Sequence, residues 1–186
     1  MHVDPASHRR ISLMLLALGF QAGVLAWDHL HGGVPSHHLL ANPDLPAVSN
    51  WWGLILIPLL AWFTVAQVHR RREPARLSSP VSSRAPSRFP PLAGFLCALA
   101  YGALLAVLFA RGSALTGYLF FGLLLVALVV RLWHGEYLLG FVLSMSFVAG
   151  PVLPAMFGTV IALFSWLVHA TARALWRKLR PQRGVF

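Results

Sequence analysis

The stretch YLLGFVLSMSFVAGPVLPAMFGTVIALFSWLVH, residues 137–169, decides how many helices this chain forms. As one helix, 33 apolar residues would rise about 50 Å, well beyond the roughly 30 Å hydrocarbon core of a bilayer. Gly150, Pro151 and Pro154 supply a break near the middle, because proline removes a backbone hydrogen bond and glycine tolerates a sharp turn. The stretch therefore predicts two helices instead of one.

The composition of the whole chain points to a membrane protein. Hydrophobic residues make up 58% of the 186 residues, charged residues only 11%, and the mean hydropathy is +0.69. The formal charge of +10 lies beside long apolar runs, which favours contact with a lipid bilayer and excludes a nucleic-acid partner. Cys97 is the single cysteine, so neither a disulfide nor a cysteine-based zinc site is available.

The apolar runs predict an all-α integral membrane protein with six transmembrane helices in a single domain. The predicted spans are residues 11–27, 50–68, 92–110, 115–132, 133–150 and 153–172. Residues 69–91, rich in arginine, serine and proline, are predicted to form a mobile cytoplasmic linker. Residues 173–186 are predicted to form a basic cytoplasmic tail.

The distribution of positive charge sets the predicted orientation. With six spans both termini lie on one side, and of the 15 Lys/Arg only Arg111 lies opposite. Five spans would instead place the basic tail outside the cell. The positive-inside rule therefore predicts a multi-pass protein of the inner (plasma) membrane with cytoplasmic N- and C-termini.

Small residues predict where helices approach each other closely. Gly94, Ala98 and Gly102 share one face of the third span. Gly19 and Gly23 form a GxxxG step in the first span, for which simple apolar packing is an equal alternative.

The segment WDHLHGGVPSHHLLANPDLPAVSNWWG, residues 27–53, gathers most of the groups that could do chemistry. It is predicted to be a re-entrant or interfacial extracytoplasmic loop between the first two helices, and residues 28–49 hold no lysine or arginine. Neutral imidazoles and carboxylates are ligands that zinc, or copper, accepts. The candidate metal ligands are His29, His31, His37 and His38, and the candidate catalytic carboxylates are Asp28 and Asp44.

The geometry of this loop has two sequence-based alternatives. If the first helix continues through His31, Asp28 and His31 share a face; if it ends at Trp27, His29 and His31 lie on the same side of an extended chain. Residues 32 and 33, both glycine, predict a sharp reversal, and residues 37–41 a short interfacial helix. The motifs HExxH, HxxxH and CxxC are absent, so no known metal motif supports the site.

Three functions are compatible with this loop. The first is a metal-dependent, membrane-embedded hydrolase of an amphipathic or lipid substrate. The second is a non-enzymatic metal-handling or proton-sensing membrane protein, and the third is an accessory subunit of a larger membrane complex. Structural roles as helix caps and turns account for the same residues without any activity.

Polar residues outside the loop offer a second candidate. Glu136 is close in sequence to Arg131 and His134, and the trio could form an ion pair, a proton-entry point or a simple interfacial anchor. Four hydroxyl residues of the last two spans could line a polar path or bond within their own helices: Ser144, Ser146, Thr159 and Ser165.

Overall fold

The computed structural model describes residues 5–38, 44, 46–77 and 90–179. Within these residues the chain forms six α-helices, one two-stranded β-hairpin and a short 3-10 helix at Asn50–Trp52. In chain order they are α1 (Pro5–Leu30), β1 (Ser36–His38), β2 (Ala47–Ser49), α2 (Gly53–Leu77), α3 (Pro91–Ala110), α4 (Leu115–Val129), α5 (Gly135–Ala149) and α6 (Val152–Leu179). Most of the predicted linker and the last residues of the predicted tail lie outside the described residues.

Four of the described helices are long and apolar enough to cross a membrane: α1, α2, α3 and α6. Helices α4 and α5 are apolar but have 15 residues each, so each rises only about 22 Å. Large hydrophobic side chains are exposed along the bundle, as expected where lipid covers them. The fold is therefore that of an all-α membrane protein, while six crossings and their orientation stay a prediction.

The predicted break between the last two helices is confirmed. Gly150 follows the end of α5 with φ 65°, a conformation that favours glycine, and α6 begins at Val152. Pro154 lies in the first turn of α6. Backbone N–H groups of a first turn have no intrahelical acceptor, so the proline removes no hydrogen bond from the helix.

Several helices extend beyond their predicted spans, and α1 does so at both ends, since it runs from Pro5 to Leu30. Helix α2 continues to Leu77 and α6 to Leu179, past the ends of their apolar runs. Arginine and alanine are good helix formers, so a helix does not stop where hydrophobicity stops. The first part of the predicted linker and of the predicted tail is thus helical, and Arg71 is held beside α5.

Helix α5 lies at the centre of the bundle and α3 packs closely against it. A Cβ on Gly140 of α5 would lie 2.5 Å from the Phe95 carbonyl oxygen of α3. A Cβ on Gly102 of α3 would collide with the Ser144 hydroxyl. The small-residue face predicted on α3 is therefore confirmed as a helix-packing surface.

Helix α1 packs against α2 but not through its GxxxG step. Added Cβ atoms on Gly19 and Gly23 would meet no atom within 4 Å. The buried side chains of α1 are instead Gln21, Val24 and Leu25. The GxxxG step thus brings no described helix close to α1, and its role stays a prediction.

Candidate functional site

The loop between α1 and α2 folds as a hairpin. Strands Ser36–His38 and Ala47–Ser49 pair antiparallel. The predicted short helix over residues 37–41 is wrong at its start, and residues 39–41 lie outside the described residues. Gly32 and Gly33 adopt φ 121° and 103°, which turns the chain away from α1 and lets the strand form.

His31 completes the end of α1. Its backbone N–H donates to the Trp27 carbonyl at 3.1 Å, so helical geometry reaches His31 as in the first alternative. Its ring stacks on Trp27 with centroids 3.9 Å apart, and Nδ1 lies 2.8 Å from the same carbonyl oxygen. A ring nitrogen facing a carbonyl oxygen must donate, so this imidazole is a helix cap as well as a candidate ligand.

Half-buried His37 lies beside three buried residues at this end of the bundle: Gln21, Asn50 and Gly150. A Cβ on Gly150 would collide with the Asn50 side-chain oxygen and lie 3.2 Å from His37 Cδ2. The Gln21 Nε2 donates to the Asn50 carbonyl at 3.5 Å, and both side chains are buried. The hairpin thus rests on the α5–α6 turn.

The six predicted site residues do not meet at one point. All six lie in the described part of the chain, and there no three histidine, cysteine, aspartate or glutamate residues form a group able to hold a metal ion. Asp28 and His37 are half-buried, whereas the remaining four are exposed: His29, His31, His38 and Asp44. Zinc or copper binding by the loop stays a prediction.

The opposite end of the bundle holds a bidentate ion pair. Arg71 of α2 donates to both carboxylate oxygens of Glu136 in α5, with Nη1 to Oε1 at 3.1 Å and Nη2 to Oε2 at 2.6 Å. The Glu136 side chain is 7% exposed and that of Arg71 33%. This bidentate geometry fixes both side chains and neutralises the buried carboxylate.

Gln67, one turn before Arg71, ties α2 to the start of α5. Its Oε1 accepts from the Gly135 backbone N–H at 2.6 Å and from Arg71 Nη2 at 3.2 Å. Its Nε2 donates to the Trp133 carbonyl at 3.4 Å. The side chain therefore satisfies a donor that the first turn of α5 would otherwise leave without a partner.

His134 precedes α5 and lies beside the same carboxylate. Its Nδ1 is 3.7 Å from Glu136 Oε1. The pKa of His134 is lowered from its usual value, chiefly by burial and next by the positive charge of Arg71. The Glu136 carboxylate acts in the opposite direction, and the charge of Arg131 adds a smaller lowering effect. The imidazole is therefore neutral at pH 7, and the 3.7 Å approach is a contact rather than an ion pair.

Helix α6 holds the other side of the α4–α5 connection through Ser165. This fully buried hydroxyl accepts from the Leu132 N–H at 3.2 Å. It donates to the carbonyl of Ala127 at 2.8 Å or of Val130 at 3.0 Å. The end of α4 is thus held by a side chain 33 or more positions along the chain.

The predicted trio is correct in part. Glu136 and His134 are neighbours, but the arginine that pairs with Glu136 is Arg71 of α2, whereas Arg131 is exposed. Sequence reasoning missed Arg71 and Gln67, since they fall at the end of a different helix. The available signal was their spacing: Gln67 and Arg71 are four positions apart, which places both on one face of a helix.

No protein-family model matches the chain, and neither a curated protein nor a solved structure is significantly similar to it.

Proposed function

We propose that this protein is a polytopic inner-membrane protein that senses cytoplasmic pH through an inner network of Gln67, Arg71, His134 and Glu136. The observation that carries the proposal is that the Glu136 carboxylate lies against both Arg71 and His134. Buried Glu136 is bonded to Arg71 and lies 3.7 Å from a second, titratable base. Histidine is the side chain whose charge changes near physiological pH.

The network can exist in two arrangements. At neutral pH, Arg71 holds both Glu136 oxygens and His134 is neutral. On acidification, an imidazolium at His134 would compete with Arg71 for Oε1, because a charged N–H bonds a carboxylate more strongly than a neutral one. Loss of one arginine bond would loosen the end of α2 from α5.

Charged groups around His134 come from three elements. Arg71 of α2 and Arg131 of the α4–α5 connection oppose its protonation, while Glu136 of α5 favours it. Helix α6 contributes His169, whose ring lies 4.9 Å from that of Trp133. Movement at His134 would therefore reach α2 and α6 through groups already in contact.

The other sequence-based functions have less support in the geometry. The metal-dependent hydrolase needs at least three ligands around one metal ion, and the described loop residues do not form such a group. A metal-handling role has the same requirement. The accessory-subunit hypothesis has no specific contact in its favour.

Hydrogen exchange in lipid nanodiscs tests pH sensing. Between pH 7.5 and 5.5, amide exchange at residues 130–137, corrected for its intrinsic pH dependence, should rise in the wild-type protein. His134→Gln should abolish this rise, whereas His29→Gln, the same change in the last turn of α1 at the opposite end of the bundle, should leave it intact. An unchanged pH response in His134→Gln would overturn the proposal.

Reporter fusions test the proposed orientation. Six crossings with cytoplasmic termini predict that a C-terminal green fluorescent protein is fluorescent and a C-terminal alkaline phosphatase inactive. A phosphatase fused after Arg111 should be active, because that turn is the predicted extracytoplasmic one. Active phosphatase at the C-terminus would show that the network faces the periplasmic side.

A further inference from the structure

A basic groove lies beside the inner network, where α6 passes the end of α4. It has a volume of about 650 Å³, within the range of small-molecule sites, and is lined by Arg131, His169, Ala170, Ala172, Arg173, Trp176 and Arg177. The three arginines therefore come from two elements that meet only in the folded chain.

The positive charge of this groove is not neutralised by the described residues. No described carboxylate lies within 4.0 Å of Arg131, Arg173 or Arg177. Arg173 donates from its Nε to the His169 carbonyl at 3.1 Å, so this bond does not use its two outer guanidinium nitrogens. A site with three arginines and no acid selects an anion, and phosphate suits the arginine fork.

An apolar surface continues from the groove along the same face of α6. Leu163, Trp166, Ala170, Arg173 and Arg177 follow at steps of three and four residues, which align on one helical face. Leu163 is 61% exposed and Trp166 51%. Val129, the last residue of α4 and two positions before Arg131, is 82% exposed. Apolar surface of this kind next to an anion site fits a ligand that is both charged and apolar.

We propose that this groove binds the phosphate head group of an anionic phospholipid, whose acyl chains lie along the exposed apolar face of α6. Trp176, 68% exposed, flanks the groove as an aromatic side chain at interfacial depth. A free phosphate ion would use the arginines but gain nothing from the apolar face. None of the groove arginines bonds Glu136, although Arg131 also belongs to the charged surroundings of His134 in the inner network.

Native mass spectrometry of the full chain tests the proposal with soluble, short-chain lipids. The probes are dioctanoylphosphatidylglycerol, dioctanoylphosphatidylcholine and inorganic phosphate. The wild-type protein should retain phosphatidylglycerol in preference to phosphatidylcholine, and inorganic phosphate at equal concentration should not displace it. Displacement by inorganic phosphate would overturn the lipid assignment in favour of a free anion.

A matched pair of triple variants locates the site. Arg131→Gln/Arg173→Gln/Arg177→Gln should weaken phosphatidylglycerol binding by about a hundredfold. The control removes three exposed charges outside the groove, Arg70→Gln/Arg111→Gln/Lys178→Gln, and should change binding by less than about threefold because such charges are screened. Equal losses in both variants, or no loss in the first, would overturn the proposal. Arg173→Lys keeps the charge but not the fork and should bind less tightly than wild type.

Discussion

The ion pair between Arg71 and Glu136 should stabilise the bundle by an amount that a double-mutant cycle can measure. Exposed ion pairs contribute about 0.2–1 kcal/mol, and breaking a buried one costs about 3–5 kcal/mol. Glu136 is almost fully buried, but Arg71 is one-third exposed, so solvent screens the pair in part. We expect a coupling free energy of about 2 kcal/mol between the two side chains.

The two single variants should differ in a defined direction. Arg71→Gln leaves a carboxylate buried without its cation and should cost about 2–3 kcal/mol of unfolding free energy. Glu136→Gln leaves an arginine that can turn to water, so its cost should be about 1 kcal/mol. Acidification should reduce the penalty of Arg71→Gln, because protonating the carboxylate removes the uncompensated charge.

Equilibrium unfolding by sodium dodecyl sulfate in mixed micelles, followed by far-ultraviolet circular dichroism, gives the four free energies of the cycle. The wild type, both single variants and the double variant are measured at pH 7.5. A coupling free energy below about 0.5 kcal/mol, the usual limit of additivity, would show that the pair is a solvated contact. A larger penalty for Glu136→Gln than for Arg71→Gln would refute the burial argument.

Three further outcomes are expected from the same unfolding assay. Gly140→Ala should destabilise the bundle by about 1–3 kcal/mol through overpacking at the α3–α5 contact, whereas Gly122→Ala, where an added Cβ meets nothing within 4 Å, should be neutral or slightly stabilising. Ser165→Ala should cost about 1 kcal/mol because its hydroxyl bonds another helix, and Ser146→Ala, equally buried but bonded within its own helix, should cost much less. Because the pKa of His134 is lowered in the folded state, stability should be complete above about pH 6.5 and fall progressively below it, and His134→Gln should flatten that decline.

Features encoded by neighbouring residues were predictable from the sequence. The break at Gly150 follows from a glycine and two prolines inside an overlong apolar run, and the structure places the α5–α6 turn there. The small-residue face of α3 followed equally from spacing alone. The same spacing argument applies to Gly19 and Gly23, but no described helix approaches them. A small residue permits close contact but does not determine whether another helix lies there.

The inner network depends on distances that local patterns do not contain. Arg71 and Glu136 are 65 positions apart, and their meeting requires α2 to continue as a helix beyond its apolar run. Hydropathy ended that span at residue 68, which left Arg71 in a linker without a fixed position. Helix propensity, rather than hydrophobicity, was the relevant signal at this boundary.

The hydroxyl residues show the same limit within a single helix. Ser144 and Ser146 of α5 bond carbonyls of their own helix, which is one of the two alternatives that the sequence offered for them. Ser165 of α6 has the same composition around it but bonds the backbone at the end of α4, because α4 stops at Val129 and leaves its last carbonyls without intrahelical donors. Whether a serine bonds its own helix or another one thus depends on whether a neighbouring helix ends beside it. The end of α4 that Ser165 holds directly precedes Arg131 and His134, so the inner network and the basic groove lie next to one helix terminus.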